Sequence, residues 1–223
     1  MRLLVVNPNA TASMTETIAA AARGALPEGE ILARTNAAGP PAIQGPEDGA
    51  AAIPGFLNEL RAGIAEGADA GIVACFDDVG LLEARAETAF PIVGLCEAAC
   101  HAAMLTGRPY SVVTTLAVAI PVIEANIERY GVGASCRRVR AAGVPVLALE
   151  DPESGAAERV SDEIERALAE DGAGAIVLGC AGMADLAADL SARHGVPVID
   201  GVVAATGMAA TLIRILLPLT HAS

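Results

Sequence analysis

AIVLGCAGMADL, residues 175–186, runs from an apolar stretch of strand character through a cysteine and small residues into a segment of helical character. A buried structural cysteine has no reason to prefer that junction. One that stands there faces whatever the fold builds beyond its sheet. The stretch also has a copy. GAGAIVLGC (172–180) matches GADAGIVAC (67–75), and a shift of 105 residues carries Cys75 onto Cys180. A Pro-led strand follows each, FPIVGL at Phe90–Leu95 and VPVIDG at Val196–Gly201, with the offset now 106 from Pro91 to Pro197. Upstream, the shift of 105 sets Asn9 of VVNPN on Thr114 of VVTT. Self-similarity at a fixed offset marks a duplicated structural unit. The expectation is two similar lobes related by a pseudo-two-fold axis, lobe 1 over 1–105 and lobe 2 over 106–223, with an active-site cleft between them. The repeat leaves open an exchange of the C-terminal segment onto lobe 1.

Around the repeat, short apolar runs alternate with helical patterns. LLVVN (3–7) reads as a strand and TASMTETIAAAARGAL as a helix, with Thr11 or Ser13 as N-cap and Glu16 three residues after Ser13. The alternation continues through GADAGIVACF, VGLLEARAET, PIVGL, EAACHAAMLTG, YSVVTT, IPVIEANIERYG, AIVLGC, MADLAADLSARHG and VPVIDG. Strands alternating with helices, punctuated by Gly and Pro, predict an α/β fold with mainly parallel sheets.

The bulk composition narrows the function classes. The 223 residues are 53% hydrophobic with no Trp, an excess of short aliphatics suited to packing helices on sheets. A net charge of −13 disfavours nucleic acid and anionic membrane surfaces as partners. No run of residues is long and apolar enough to read as a membrane span, and MRLLVVNPNA is too short for a signal peptide. Five cysteines, at 75, 96, 100, 136 and 180, are an odd number in a chain with a good core, so they are expected to be reduced and the protein cytoplasmic.

In parallel α/β sheets ligands bind beyond the carboxyl ends of the strands, where Cys75 and Cys180 both stand. Each is expected at the start of a helix, whose N–H groups and dipole favour a thiolate. Two thiols facing one carbon from opposite sides invert it: one, as thiolate, takes a proton, and the other, as thiol, gives one to the other face. The carbanion needs a neighbouring carbonyl to take its charge as an enolate. Asn7, Asn9, Thr114, Thr115 and the backbone of CAGM are uncharged groups able to hydrogen-bond that oxygen. No Arg stands in these strand-end loops, so a neutral, amide-rich ligand fits better than a dicarboxylate.

These residues resemble the cofactor-independent aspartate/glutamate/hydantoin racemases, and within them most the hydantoin racemases, with allantoin racemases as near relatives. The resemblance rests on VVNPN with SMTETI after it, ACFDDVGL with EAR, PIVGLCEAA, SVVTT, CRRVRA, PVLALE, GAGAIVLGCAGMADLA and GVPVIDGVVAA. It implies two α/β lobes, catalytic Cys75 and Cys180, and a substrate site lined by Asn7–Asn9, Val113–Thr115 and Gly182. It further implies homo-oligomers and no cofactor. Val79 stands where the family usually has Pro, and Ala10-Thr11 where it often has Thr-Ser, which bears on the choice of substrate. The expected reaction is racemisation of 5-monosubstituted hydantoins, with allantoin or a dicarboxylic amino acid as the alternative substrate.

The remaining polar residues have plainer readings. Asp77 and Asp78 follow Cys75; Asp78 joins the candidate substrate-site residues, although capping the next helix is its favoured role. Cys96, Cys100 and His101 supply at most half a zinc site, with no second Cys/His pair to complete it, so no metal is expected. His194 and His221 read as solvated.

Overall fold

The computed structural model describes residues 1–220, with side chains through residue 216. His221 lies outside the described residues. Two four-stranded sheets, each wholly parallel, carry the fold. The first has the order β2-β1-β3-β4, from β1 (Arg2–Asn7), β2 (Glu30–Thr35), β3 (Ala70–Val73) and β4 (Ile92–Gly94). The second repeats that order as β6-β5-β7-β8, from β5 (Tyr110–Thr114), β6 (Cys136–Ala141), β7 (Ala175–Gly179) and β8 (Val198–Ile199). The helices are α1 (Ala12–Ala25), α2 (Pro46–Ala65), α3 (Leu81–Glu87), α4 (Leu95–Leu105), α5 (Ile120–Arg129), α6 (Ala156–Asp171), α7 (Ala187–His194) and α8 (Gly201–Thr220).

Strands covered on both faces read as apolar runs; β1, β3 and β7 do so, and β5 does apart from Ser111, whose hydroxyl donates to the Asp171 carboxylate at 2.9 Å. Their alternation sorts the core. Leu4, Val6, Val73 and Ile92 pack under Phe56, Leu57 and Leu60 of α2. Val113, Ile176 and Leu178 pack under Val160 and Ile164 of α6. The opposite faces, with Leu3, Val5 and Ile72 from one sheet and Val112 and Val177 from the other, share a single core with α1, α4, α5 and α8. The last helix of each half crosses over: α4 packs on β7 of the second sheet, and α8 packs on β3 and β4 of the first.

The ladders also correct the register of the repeat. Val73 pairs with Val6, and its counterpart Leu178 pairs with Val113. Asn7, not Asn9, is therefore the counterpart of Thr114. Both are fully buried at the last rung of a central strand.

Cys96 and Cys100 lie a turn apart on α4 with their sulfurs 4.0 Å from each other, both buried in the shared core. Among the described residues no cluster of three or more His, Cys, Asp or Glu is placed to hold a metal ion, and no helix is long and apolar enough to cross a membrane. His194 is half-buried and hydrogen-bonded through Nε2 to the Ser161 hydroxyl at 2.8 Å, rather than free in solvent.

Candidate active site

In each sheet the strand order reverses between the central pair, β1 with β3 and β5 with β7, and the crevice at such a point is where an α/β sheet takes its ligand. The two crevices open into one narrow cavity of about 30 Å³. Cys75 and Cys180 stand in its wall, with Asn9, Thr114 and Thr115. Two loops roof it. Ile43 and Gln44 come from the segment between β2 and α2, Val146 from the segment between β6 and α6. The Val146 N–H donates to the Gln44 side-chain carbonyl at 3.0 Å and ties the two loops together.

The cysteines are held alike. Neither opens an α-helix as expected: α3 starts at Leu81, and Ala181–Leu186 is a 3-10 stretch. Each instead begins a tight turn. The Asp78 N–H donates to the Cys75 carbonyl at 3.0 Å, and the Met183 N–H to the Cys180 carbonyl at 3.1 Å. Such a turn aims the N–H two residues on at the cysteine's own sulfur. That donor is Asp77 for Cys75 and Gly182 for Cys180, and it favours the thiolate. Burial opposes it, pushing the Cys75 thiol well above its ordinary value and Cys180 up to about 12, and the Asp77 carboxylate raises both further. The thiolate stabiliser is a local backbone donor, not a helix dipole.

The other residues divide by distance from the cavity. Asn9 turns its side-chain carbonyl away, accepting from the Thr11 N–H and the Asn7 amide, each at 2.9 Å. A main-chain N–H can only donate, so this bond fixes the orientation of the Asn9 amide and leaves its NH2 on the Met14 and cavity side. Asn7 lies behind, donating to Asn9, Thr11 and Thr15. The Thr114 hydroxyl is spent on the Gly179 carbonyl at 2.8 Å, locking β5 to β7 at the site. The Thr115 hydroxyl has no protein partner among the described residues. Val113 packs in the outer core of the second half, away from the cavity. Gly182 contributes its N–H, and a Cβ there would press on Leu149 at 3.1 Å.

Of the acidic pair, Asp77 lines the cavity and Asp78 does not. Asp78 caps α4, a helix remote in sequence, rather than the next one. It accepts from the N–H groups of Cys96 and Glu97, each at 3.0 Å, and from the Tyr130 hydroxyl at 2.7 Å. Its carboxyl occupies the space where a side chain on Gly94 would stand, 2.4 Å from that ideal Cβ. In the second half Asp200 fills the matching role at the head of α8, accepting from the Val203 N–H. Ile43 and Gln44 come from a loop without motif or periodicity, and Val146, although it stands in PVLALE, is an aliphatic residue that no local chemistry marks as part of a site.

Residues 3–209 match the Asp/Glu/Hydantoin racemase family. The chain belongs to that family. It is therefore a racemase, an isomerase by class. A curated hydantoin racemase of Rhizobium meliloti is 46% identical over 96% of this chain and 89% of its own length. Among solved structures, an allantoin racemase from Klebsiella pneumoniae is 46% identical and superposes with a TM-score of 0.93, covering 96% of this chain and 88% of its own. Allantoin racemase from Pseudomonas fluorescens is 40% identical with a TM-score of 0.92, over 96% and 92%.

Proposed function

We propose that this racemase inverts C5 of 5-monosubstituted hydantoins by two-base proton transfer, without a cofactor, in the reducing cytoplasm. Cys75 and Cys180 are the bases. One, as thiolate, takes the C5 proton; the other, as thiol, gives a proton to the opposite face. After turnover the first sulfur carries the proton and the second is the thiolate, ready for the other enantiomer. The C5–H lies between a carbonyl and an amide nitrogen, so its removal gives an enolate that a thiolate can reach. The Asn9 NH2 and the Thr115 hydroxyl, both in the cavity wall, are the donors assigned to such an oxyanion.

The observation that carries this reading is the repeated turn, which presents one sulfur from each half to one small cavity. Against a dicarboxylic amino acid stands the cavity wall, which among the described residues contains no Lys, Arg or His. Allantoin, a hydantoin with a ureido substituent, is the second reading, favoured by the two solved relatives of that name. Assembly into a homo-oligomer is part of the proposal, with exposed Leu105 and Ile215 on α4 and α8 as apolar surface for it.

The test is polarimetry with L-5-benzylhydantoin and, separately, allantoin. Rotation decays with the wild type, and Cys75→Ser or Cys180→Ser slows the decay by about a thousandfold or more. Racemisation surviving in either variant ends the two-thiol mechanism. Decay with allantoin alone moves the substrate and keeps the mechanism.

A further inference from the structure

Asp77 is the ionisable residue of the cavity wall that the two-thiol mechanism leaves unused. Asp78 beside it is engaged by three donors, whereas the Asp77 carboxyl has no hydrogen-bond or ion-pair partner among the described residues. Its backbone is fixed: the Asn126 side-chain NH2, from the opposite half, donates to the Asp77 carbonyl at 2.9 Å. The side chain stands where the cavity meets an outer groove between α2 and α5, which Asp77 also lines. It lies close enough to both sulfurs for its charge to act on each. A half-buried carboxylate without a cation or N–H of its own is an acceptor waiting for a donor, and it opposes any second negative charge brought beside it.

We propose that Asp77 determines substrate specificity, its carboxylate accepting an N–H of an uncharged cyclic ureide and rejecting ligands that bring a carboxylate into the cavity. This rests on the hydantoin reading above and sharpens it. The ligand class is a ring or side-chain ureide with free N–H groups and no net negative charge. Burial lifts the Asp77 carboxyl to about 6, which leaves it ionised at neutral pH and able to act in both ways.

The experiment compares two hydantoins of nearly equal shape, 5-carbamoylmethylhydantoin and its acid, 5-carboxymethylhydantoin. Both kcat/KM values are measured at pH 8 for the wild type and Asp77→Asn. The wild type prefers the amide. In Asp77→Asn the ratio of acid to amide rises about fivefold or more, and the KM for the amide increases as the charged acceptor gives way to a neutral, weaker one. A ratio changed by less than about fivefold overturns the proposal, since a purely structural role would lower both substrates alike. Should Asp77→Asn fail to fold, Asp77→Ser gives the same comparison. If the wild type racemises neither compound nor benzylhydantoin, it is the hydantoin reading that has failed.

Discussion

At the scale of single residues, the two cysteines are set by what surrounds each sulfur. Both thiols are half-buried in the cavity wall, both face the Asp77 charge, and each has one backbone donor. Cys75 also feels Cys180 and Asp78, and Cys180 feels Asp200. The Asp77 carboxyl titrates far below the thiols, so it is charged wherever they ionise. Removing that charge makes each thiolate easier to form. Alkylation of both cysteines by iodoacetamide, followed by peptide mass against pH, is therefore expected to shift to lower pH in Asp77→Asn by about half a unit or more. An unchanged midpoint for both would show that Asp77 points away from the sulfurs. The cysteines were legible in the sequence because duplication repeats them at a fixed offset. The division of labour between Asp77 and Asp78 was not. It depends on Asp78 taking a backbone conformation with φ of +50°, which turns its carboxyl out of the cavity and under α4. No local pattern encodes a cap on a helix that starts seventeen residues later.

At the scale of elements, the central strands were plain in the sequence and their neighbours were not. β2, with sequence EILART, is an edge strand with one partner and no fully buried residue, so it lacks an apolar run. α2 carries Pro54 and three glycines, breakers by any local rule, yet it spans Pro46–Ala65. Gly63 lets it lie against β1, since a Cβ there would sit 2.4 Å from the Leu4 side chain. Tertiary packing of Phe56, Leu57 and Leu60 overrides propensity. The caps of α4 and α8 make a pH prediction. Burial raises Asp78 to about 7 and Asp77 to about 6, and raises Asp200 as well. A carboxyl whose folded pKa lies above its unfolded value binds protons more tightly when folded, so it loses stability as pH rises between the two. Glu30 and Asp171 are shifted the other way, but their windows lie below their ordinary values; burial also lowers His194, which opposes the trend just below its ordinary value, one imidazole against three carboxyls. The melting temperature is therefore expected to fall between pH 5 and pH 8, and Asp78→Asn to flatten that slope while keeping a neutral acceptor under α4. A melting temperature that rises over this range would contradict the assignment.

At the scale of the whole molecule, the duplication produced two sheets without producing two independent bodies. α4 and α8 are exchanged across the pseudo-two-fold, and the core between the sheets draws on both halves. The roof does the same through Gln44 and Val146, and the acidic loop through Asn126 and Tyr130. Neither half closes its own core. Urea unfolding followed by far-ultraviolet circular dichroism and by alkylation of the buried Cys96 and Cys100 is expected to give one coincident transition. Two separated transitions would mean that the halves are stable apart. The sequence left open the exchange of the C-terminal segment onto the first half but gave no sign of the exchange of α4, because an apolar helix reads alike whichever sheet it covers. One sulfur from each half is what this architecture delivers to the site, and isotope labelling tests its use most directly. L-5-benzylhydantoin would be incubated with the enzyme in D2O and stopped at low conversion, with deuterium at C5 measured separately in each enantiomer. Two bases give D-product that carries deuterium and residual L-substrate that carries none, with the mirror result from D-substrate. Equal deuterium in product and residual substrate would mean one base serving both faces, and would contradict the two-thiol account.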